Sequence, residues 1–484
     1  MDNAKDKQRW YEKIPHAVTM IFGIIILVTI MTYLVPSGNY QREERTVNNL
    51  TRTMVIPGTF TSQEKHYSLK GALIGDPVEG KASPVSLTQF FSAIPRGLEG
   101  AADIIFFIFI VGGIFNVIQK TGTITAVIQK MLDKFANSGI VLIIIMMVVI
   151  AIGGSTIGMG EELIPLVPVF LYVSSQMGYD RIFGLALVML AADVGFAAAT
   201  TNPFTVQIAQ GIAEVPIGSG IGFRLIFFAC IMTATLVYVI RYGTKVKNDP
   251  SKSYLAGIEY SAKDLEVERI PLRKAHLGVV ICCIVIFGSI LYATQNMGWW
   301  LSEMAGGFIL MGMLAAWIAG LSVSETVEAF AKGAEEMVVA ALVVGFAKGI
   351  QIVLMDGQIM DTLIYGAANV LQDFPKLVAA EGMLVFQSLL NFFIPSGSGQ
   401  AAATMPLMAP LSDVLGISRQ TAVFAFTCGD GFSNIIIPTS GVLMAMLGLA
   451  KVPYDRWLKF IGPLFLILMG ISAIFIAIGV MIGF

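Results

Sequence analysis

Apolar runs long enough to cross about 30 Å of hydrocarbon recur along nearly the whole chain, separated by short polar turns. They fall near residues 16–36, 101–119, 182–215, 221–241, 275–295, 300–320, 335–354, 420–450 and 460–482. Two further apolar stretches, 139–176 and 378–414, are interrupted in the middle by glycine- and hydroxyl-rich turns. The pattern predicts an all-α polytopic membrane protein with two re-entrant helical hairpins and two broken transmembrane helices. Amphipathic segments at 123–136 and 358–373 precede the two hairpins and are expected along the membrane surface. The first run follows Lys5, Lys7, Arg9 and Lys13, a flank that a signal peptide would share. At about 20 apolar residues it exceeds a signal core, and no small-residue cleavage site follows, so it reads as a retained helix.

The chain also resembles itself. "RGLEGAADIIFFIFIVGG" from Arg96 matches "KGAEEMVVAALVVGFAKG" from Lys332, and "TGTI" at 121–124 matches "DGQI" at 356–359. Pro168 corresponds to Pro406, and "GYDRIFGLALVMLAADVGF" at 178–196 to "GISRQTAVFAFTCGDGF" at 416–432. The offset stays between 235 and 238 throughout. Basic residues at the N-terminus and from Arg241 to Lys274 place both on the cytoplasmic side. With the two interrupted stretches dipping in and returning, residues 37–95 and the C-terminus are then external. The two copies acquire opposite orientation, the arrangement typical of secondary transporters. The expected units are 1–95, an N-terminal helix and external segment; 96–216, the first repeat; and 217–327, connecting helices with a cytoplasmic loop at 242–273. The second repeat occupies 328–450, and a last helix 451–484.

Composition supports the membrane reading. Of 484 residues, 56% are hydrophobic and only 13% charged, against about a quarter charged in soluble domains. A net charge of -2 without a basic stripe points to no nucleic-acid partner. Cys230, Cys282, Cys283 and Cys428 lie in apolar runs, against a disulfide framework. His16, His66 and His276 are scattered, so no histidine metal site is expected. Without a phosphate-binding loop or a large soluble domain, transport must draw on a gradient. No cofactor is expected beyond a possible coupling Na+ or H+. The methionines read as packing residues, and Trp299 with Trp300 as an interfacial belt.

Candidate chemistry lies at the interruptions. Each repeat has a hairpin tip, "GGSTIGMGEE" (153–162) or "PSGSGQ" (395–400), and a break in the next span, "AAATTNP" (197–203) or "GFSNIIIPTSG" (431–441). Irregular backbone at membrane depth survives only when buried in protein or lining a wet cavity. Four such elements converging near the midplane would form a substrate and ion site. Its candidates are Ser155, Thr156, Gly158, Gly160, Glu161, Glu162, Asp193, Thr200, Thr201 and Asn202 in the first copy. In the second they are Ser396, Gly397, Ser398, Gly399, Gln400, Asp430, Ser433, Asn434, Thr439 and Ser440. Ser396, Ser398, Asn202 and Asn434 are expected to contact polar groups of the substrate. Glu161, Asp193 and Asp430 would attract a cationic substrate or bind protons or sodium, since intramembrane carboxylates are functional by default. Burial favours the protonated form of any carboxyl group, which makes proton coupling chemically reasonable. The blander reading makes the breaks ordinary kinks, and Glu161 and Glu162 a solvated turn. Arg181 and Arg419 begin the broken spans and read as headgroup anchors, leaving a site rich in carboxylates without a deep arginine.

"GGSTIGMGEELIPLVPVF", "AADVGFAAATTNPFTVQIAQ" and "CGDGFSNIIIPTSGVLMAML" resemble motifs of the anaerobic C4-dicarboxylate carrier (DcuC-type) family, its YfcC-like branch in particular, within the ion-transporter superfamily. The resemblance covers nearly the whole chain. It implies paired hairpins, inverted repeats, homodimers in the bacterial cytoplasmic membrane, and a transport domain moving like an elevator against a scaffold. Sodium-coupled divalent-anion relatives carry Ser-Asn-Thr at the hairpin tips, where this chain has Ser155-Thr156 and Ser396-Gly397-Ser398. The family name suggests dicarboxylates, while YfcC-like members are linked with basic amino acids, including arginine/ornithine exchange. The carboxylate-rich interruptions favour a basic amino acid transporter or antiporter, with C4-dicarboxylate transport as the alternative. Two other classes remain: an intramembrane aspartyl protease, since Asp193 and Asp430 lie on different spans, and a passive channel. "TCGDGF" lacks the first glycine of the protease pattern, and proteolysis leaves the repeat unexplained.

Overall fold

The computed structural model describes residues 17–47, 50–134, 139–258, 271–297, 299 and 301–484. Helix α1 (Ala17–Leu34) is apolar on all sides. The polar segment after it is not helical at first, which corrects the all-helical expectation. Strand β1 (Ser37–Asn39) pairs antiparallel with β4 (Thr61–Gln63), and β2 (Arg42–Val47) with β3 (Leu50–Val55). Alternating Thr, Val and charged residues suit short, half-solvated strands. Helix α2 (Leu69–Ile74) follows, N-capped by the Ser68 hydroxyl, which accepts from Gly71 N.

Several contacts hold this small β unit to the helical body: Ser37 Oγ donates to Gly357 O at 2.8 Å and Gly38 N to Gln358 O at 3.0 Å, and a buried carboxylate fixes the start of β2. Asp361, 2% exposed, accepts from Tyr40 N at 2.8 Å and pairs with Arg42 Nη2 at 2.6 Å. Burial and the neighbouring Asp361 push the Tyr40 phenol up to about 12. Phe60 stacks on Tyr365 at 4.0 Å beside them. Replacing Asp361 with alanine leaves a buried N–H and a cation unpaired, a local cost of about 2–3 kcal/mol. Faster limited proteolysis within 37–63 is the expected result; wild-type resistance would refute the clamp.

Ser86 opens the first helical repeat, closing a capping box with Gln89 at the start of α3 (Leu87–Gly100). After a bend at Ala101 come α4 (Ala102–Lys120), α5 (Thr123–Lys134) and α6 (Gly139–Ile157). A break at 158–160 and a 3-10 turn (Glu161–Leu166) lead into α7 (Val167–Gln176). Asp180 caps α8 (Arg181–Leu185), which passes through one wider turn (Ala186–Leu190) into α9 (Ala191–Ala197). An open stretch then precedes α10 (Val206–Ile212).

Three long helices connect the repeats: α11 (Ile221–Asn248), α12 (Lys274–Met297) and α13 (Leu301–Ala319). The start of the expected loop 242–273 is still helical, to Asn248, and folds onto Asp180, which accepts from Tyr242 and Ser253. Residues 259–270 of that loop, His16 and Trp300 lie outside the described residues.

The second repeat reuses the same devices. Ser322 closes a capping box with Glu325 at α14 (Val323–Glu336), 236 residues after Ser86. Helices α15 (Val338–Asp356), α16 (Met360–Leu371), α17 (Lys376–Asn391) and α18 (Gly397–Val414) follow. Then come α19 (Arg419–Ser433), α20 (Gly441–Ala450) and the terminal α21 (Tyr454–Ile482). The helix equivalent to α14 thus begins at Leu87 rather than at Arg96. Among the described residues α4, α6, α11, α13 and α21 are long and apolar enough to cross a membrane. Helix α16 turns 77° away from α15.

Packing runs crosswise between the copies, α3 against α15 and α4 against α14. Within each copy the hairpin helix lies on its broken span, α6 on α9 and α17 on α19. Close approach depends on glycine at the crossings. A Cβ at Gly195 would lie 2.1 Å from the Ala151 carbonyl oxygen, and one at Gly431 2.3 Å from Ala197 Cα.

Candidate functional site

Both hairpin tips and the second broken span reach one cavity of about 260 Å³, and Phe196 and Phe204 on either side of the first break line it too. The first copy contributes Gly158, Gly160, Asp193, Phe196 and Phe204; the second contributes Pro395, Ser396, Gly397, Ser398, Asn434, Thr439, Ser440 and Gly441. The opposite wall comes from the α3–α4 bend (Gly100, Ala101, Asp103, Ile104, Ile108), α13 (Leu301, Met304) and α15 (Val344, Ala347, Lys348, Gln351). Nine of the sequence-derived candidates therefore reach the cavity: Gly158, Gly160, Asp193, Ser396, Gly397, Ser398, Asn434, Thr439 and Ser440.

Others are spent on holding the breaks in place. Helix α6 persists to Ile157, so Ser155 and Thr156 are helical rather than part of an open tip. Ser155 Oγ donates to Ala198 O at 3.0 Å, and Thr200 N donates back to Ser155 O at 3.0 Å. Thr201 Oγ1 donates to Thr156 O at 3.3 Å. Asn202 is wholly buried; its Oδ1 accepts from Phe204 N at 2.8 Å, and a Cβ on Gly158 would lie 2.5 Å from that oxygen. Gly158 has φ +77°, the left-handed turn that ends α6 and that glycine adopts without steric cost. These contacts correct the expectation that Ser155, Thr156, Thr200, Thr201 and Asn202 line the cavity. Each instead satisfies backbone or side-chain groups freed by the break, an accounting that buried chain demands. The backbone of Glu161 and Glu162 opens the 3-10 turn, while their side chains lie outside the described residues.

The second tip is built differently. Ser396 is the N-cap of α18, its Oγ accepting from Gly399 N at 3.3 Å, so Ser398, Gly399 and Gln400 form the first helical turn. Gln400 Nε2 donates to Gln387 O and Oε1 at 2.8 and 2.7 Å, and Gln387 Nε2 donates to Thr404 Oγ1 at 3.0 Å. Asn391 Nδ2 donates to Asp430 O, Ser433 Oγ and Asn434 Oδ1 at 2.9, 2.8 and 2.8 Å. Gly399, Gln400 and Ser433 thus serve the hairpin's own architecture and do not line the cavity. Gln387 and Asn391 were not among the candidates; their signal was two amides inside an apolar helix.

Charge is distributed unexpectedly. Asp193 lines the cavity at 9% exposure. Asp430 does not reach it: it is fully buried behind Gly397, where a Cβ would lie 3.1 Å from Asp430 Oδ2. Neither Asp430 side-chain oxygen has a hydrogen-bond partner among the described residues. The cavity also holds two charges that the repeat pattern did not reveal, Asp103 and Lys348. Lys348 Nζ donates to Gln351 Oε1 at 2.7 Å.

The absence of a deep arginine is likewise corrected. Arg224, 1% exposed, donates from Nη1 to Ala199 O at 3.3 Å and to Thr427 Oγ1 at 3.2 Å, and its guanidinium lies 5.4 Å from the centre of the Phe424 ring. It ties the first break to α19 from behind the cavity; the cue was a single arginine inside "IGFRLIFFAC". Arg181 is buried too, with Nη1 donating to Ala450 O at 3.3 Å. Arg419 pairs with Asp413 at 2.8 Å and Glu214 at 3.0 Å. Both arginines bind protein groups, where headgroup anchoring was expected.

The family model described as "C4-dicarboxylate anaerobic carrier" matches residues 14–481. An Escherichia coli (strain K12) protein named "Putative basic amino acid antiporter YfcC" is 32% identical over 98% of this chain and 97% of its own length. A Haemophilus influenzae protein of no stated function is 29% identical over 99% of both chains. Among solved structures, the Alcanivorax borkumensis YdaH transporter aligns with a TM-score of 0.46 at 15% identity, over 97% of this chain and 99% of that one. Neisseria gonorrhoeae MtrF, described within a class of antimetabolite efflux pumps, aligns at 0.44 and 16% identity, over 97% and 96%.

Proposed function

The chain belongs to the C4-dicarboxylate anaerobic carrier family, a family of transport proteins, and from that premise we propose that it is a secondary active antiporter of basic amino acids. One observation carries the choice of substrate: among the described residues, two carboxylates (Asp103, Asp193) and one ammonium (Lys348) line the cavity. Arginine and ornithine carry the complementary set, two cationic groups and one carboxylate. A dicarboxylate would bring two further anions against that surplus, and like charges in a low-dielectric site repel strongly. The printed name of the Escherichia coli relative points the same way.

The hairpins and broken spans form the moving part of this proposal, carrying substrate past a frame of α3, α4, α14 and α15 in a homodimer. Ser396, Ser398 and Asn434 contact polar groups of the substrate. Asp430 takes the coupling ion, Na+ or H+. The protein resides in the bacterial cytoplasmic membrane, with its N-terminus cytoplasmic and its C-terminus external.

A dicarboxylate reading has its own support. The N-terminus of α18 opens onto the cavity at Ser396–Ser398, a position that favours anions. Proteoliposomes separate the two readings. Preloaded with ornithine, they are expected to take up labelled arginine in saturable fashion, at a rate that responds to an imposed ion gradient. No arginine entry, together with robust succinate exchange, would overturn the amino-acid assignment.

A further inference from the structure

Lys348 stands near the middle of the apolar helix α15 (Val338–Asp356), where a charged side chain is costly. It faces the hairpin tips from the opposite wall of the cavity. Nothing in the repeat architecture calls for it. The equivalent position, 236 residues earlier, is Gly112, which packs so tightly that a Cβ would lie 2.3 Å from Met337 Cγ. The fold therefore uses the site once for close packing and once for an ammonium.

The ammonium is held but not neutralised. An ammonium has three donors, and Nζ uses one on Gln351 Oε1. No carboxylate among the described residues lies within ion-pairing distance of it. Its stem runs over the α3–α4 bend, where a Cβ on Gly100 would lie 3.7 Å from Lys348 Cε. The same wall presents Asp103, in the first turn of α4. A half-buried cation with spare donors, beside an accepting carboxylate and facing open volume, matches an α-amino acid head group, with its adjoining carboxylate and ammonium.

We infer that Lys348 binds the substrate carboxylate and Asp103 the adjoining α-ammonium, so that the carrier distinguishes amino acids from their decarboxylated amines. The assignment rests on the amino-acid reading above, with Asp193 left for the cationic end of the side chain. It deepens that reading by naming the part of the substrate that each wall recognises.

The test is competition against labelled arginine uptake in ornithine-loaded proteoliposomes, with ornithine and putrescine as inhibitors. Wild-type protein is expected to prefer ornithine by about 10- to 100-fold, the worth of one charge-assisted contact. In Lys348→Gln the ornithine constant should rise until the preference falls to about threefold or less, with putrescine inhibition unchanged. Lys348→Arg, which keeps the charge, should retain most of the preference. A purely structural lysine would move both constants together or change only the maximal rate, and either result overturns the inference while leaving amino-acid exchange intact. Absence of arginine uptake by the wild-type protein would overturn the underlying reading as well.

Discussion

Asp430→Asn is expected to lose at least about 100-fold in exchange rate, the effect of about 3 kcal/mol, while the protein still elutes as a folded species. The carboxyl group is fully buried in α19, and among the described residues neither side-chain oxygen has a hydrogen-bond partner. A charged carboxylate cannot persist in such a place without compensation. It lies directly behind the tip of the second hairpin, since a Cβ on Gly397 would lie 3.1 Å from Oδ2. A proton or small cation neutralising Asp430 would therefore be felt at an element that lines the cavity. Asparagine preserves shape but can neither take up a proton at neutral pH nor balance a cation. Exchange should fail and its response to an ion gradient disappear. Wild-type rates with the wild-type ion response would remove Asp430 from the coupling role.

The second large effect concerns the crossings that hold the breaks together. Gly195 and Gly431 stand 236 residues apart, and each approaches backbone, so no side chain can rotate away. Valine at Gly195 must push α9 off α6; valine at Gly431 must separate the two broken spans. In lipid, helices associate by close packing and hydrogen bonding rather than by hydrophobic exclusion, so small residues at crossings carry unusual weight. Overpacking costs about 1–3 kcal/mol or more, which for a chain of this length corresponds to a fall of roughly 1–3 °C or more in thermal midpoint. Gly470→Ala is the control, because nothing lies within 4 Å of a Cβ there and α21 gains a better helix former. Fluorescence-monitored unfolding in detergent should separate the first two variants from the third. Equal midpoints for all three would show that the crossings tolerate a wider spacing.

Much of the framework was legible before any coordinates. Glycine, serine and proline at membrane depth announce a break because unsatisfied backbone is so costly there. The recurrence of similar segments located the breaks in pairs, and Asp193 and Asp430 drew attention as carboxylates inside spans. The strands at 37–63 escaped because they are short and partly charged, and carry no hydrophobic face long enough to register. Helix α3 escaped as a separate element because its apolar stripe, interrupted by Pro95, was absorbed into the preceding polar segment.

By itself, then, the amino-acid order determined most of the apolar helices, roughly where they break, and which breaks correspond. These are local properties, set by hydropathy, backbone freedom and repetition. Tertiary structure alone decided how each polar group is used. Ser155 and Thr200 bond to one another across 45 residues away from the cavity, whereas Ser396 and Asn434, equally polar in sequence, line it. Lys348 and Arg224 look alike as single cations in apolar helices, yet one faces open volume and the other ties two spans together. The difference lies in the rotation and crossing of helices far apart in sequence, because only there does a side chain acquire its partner or keep its donors free.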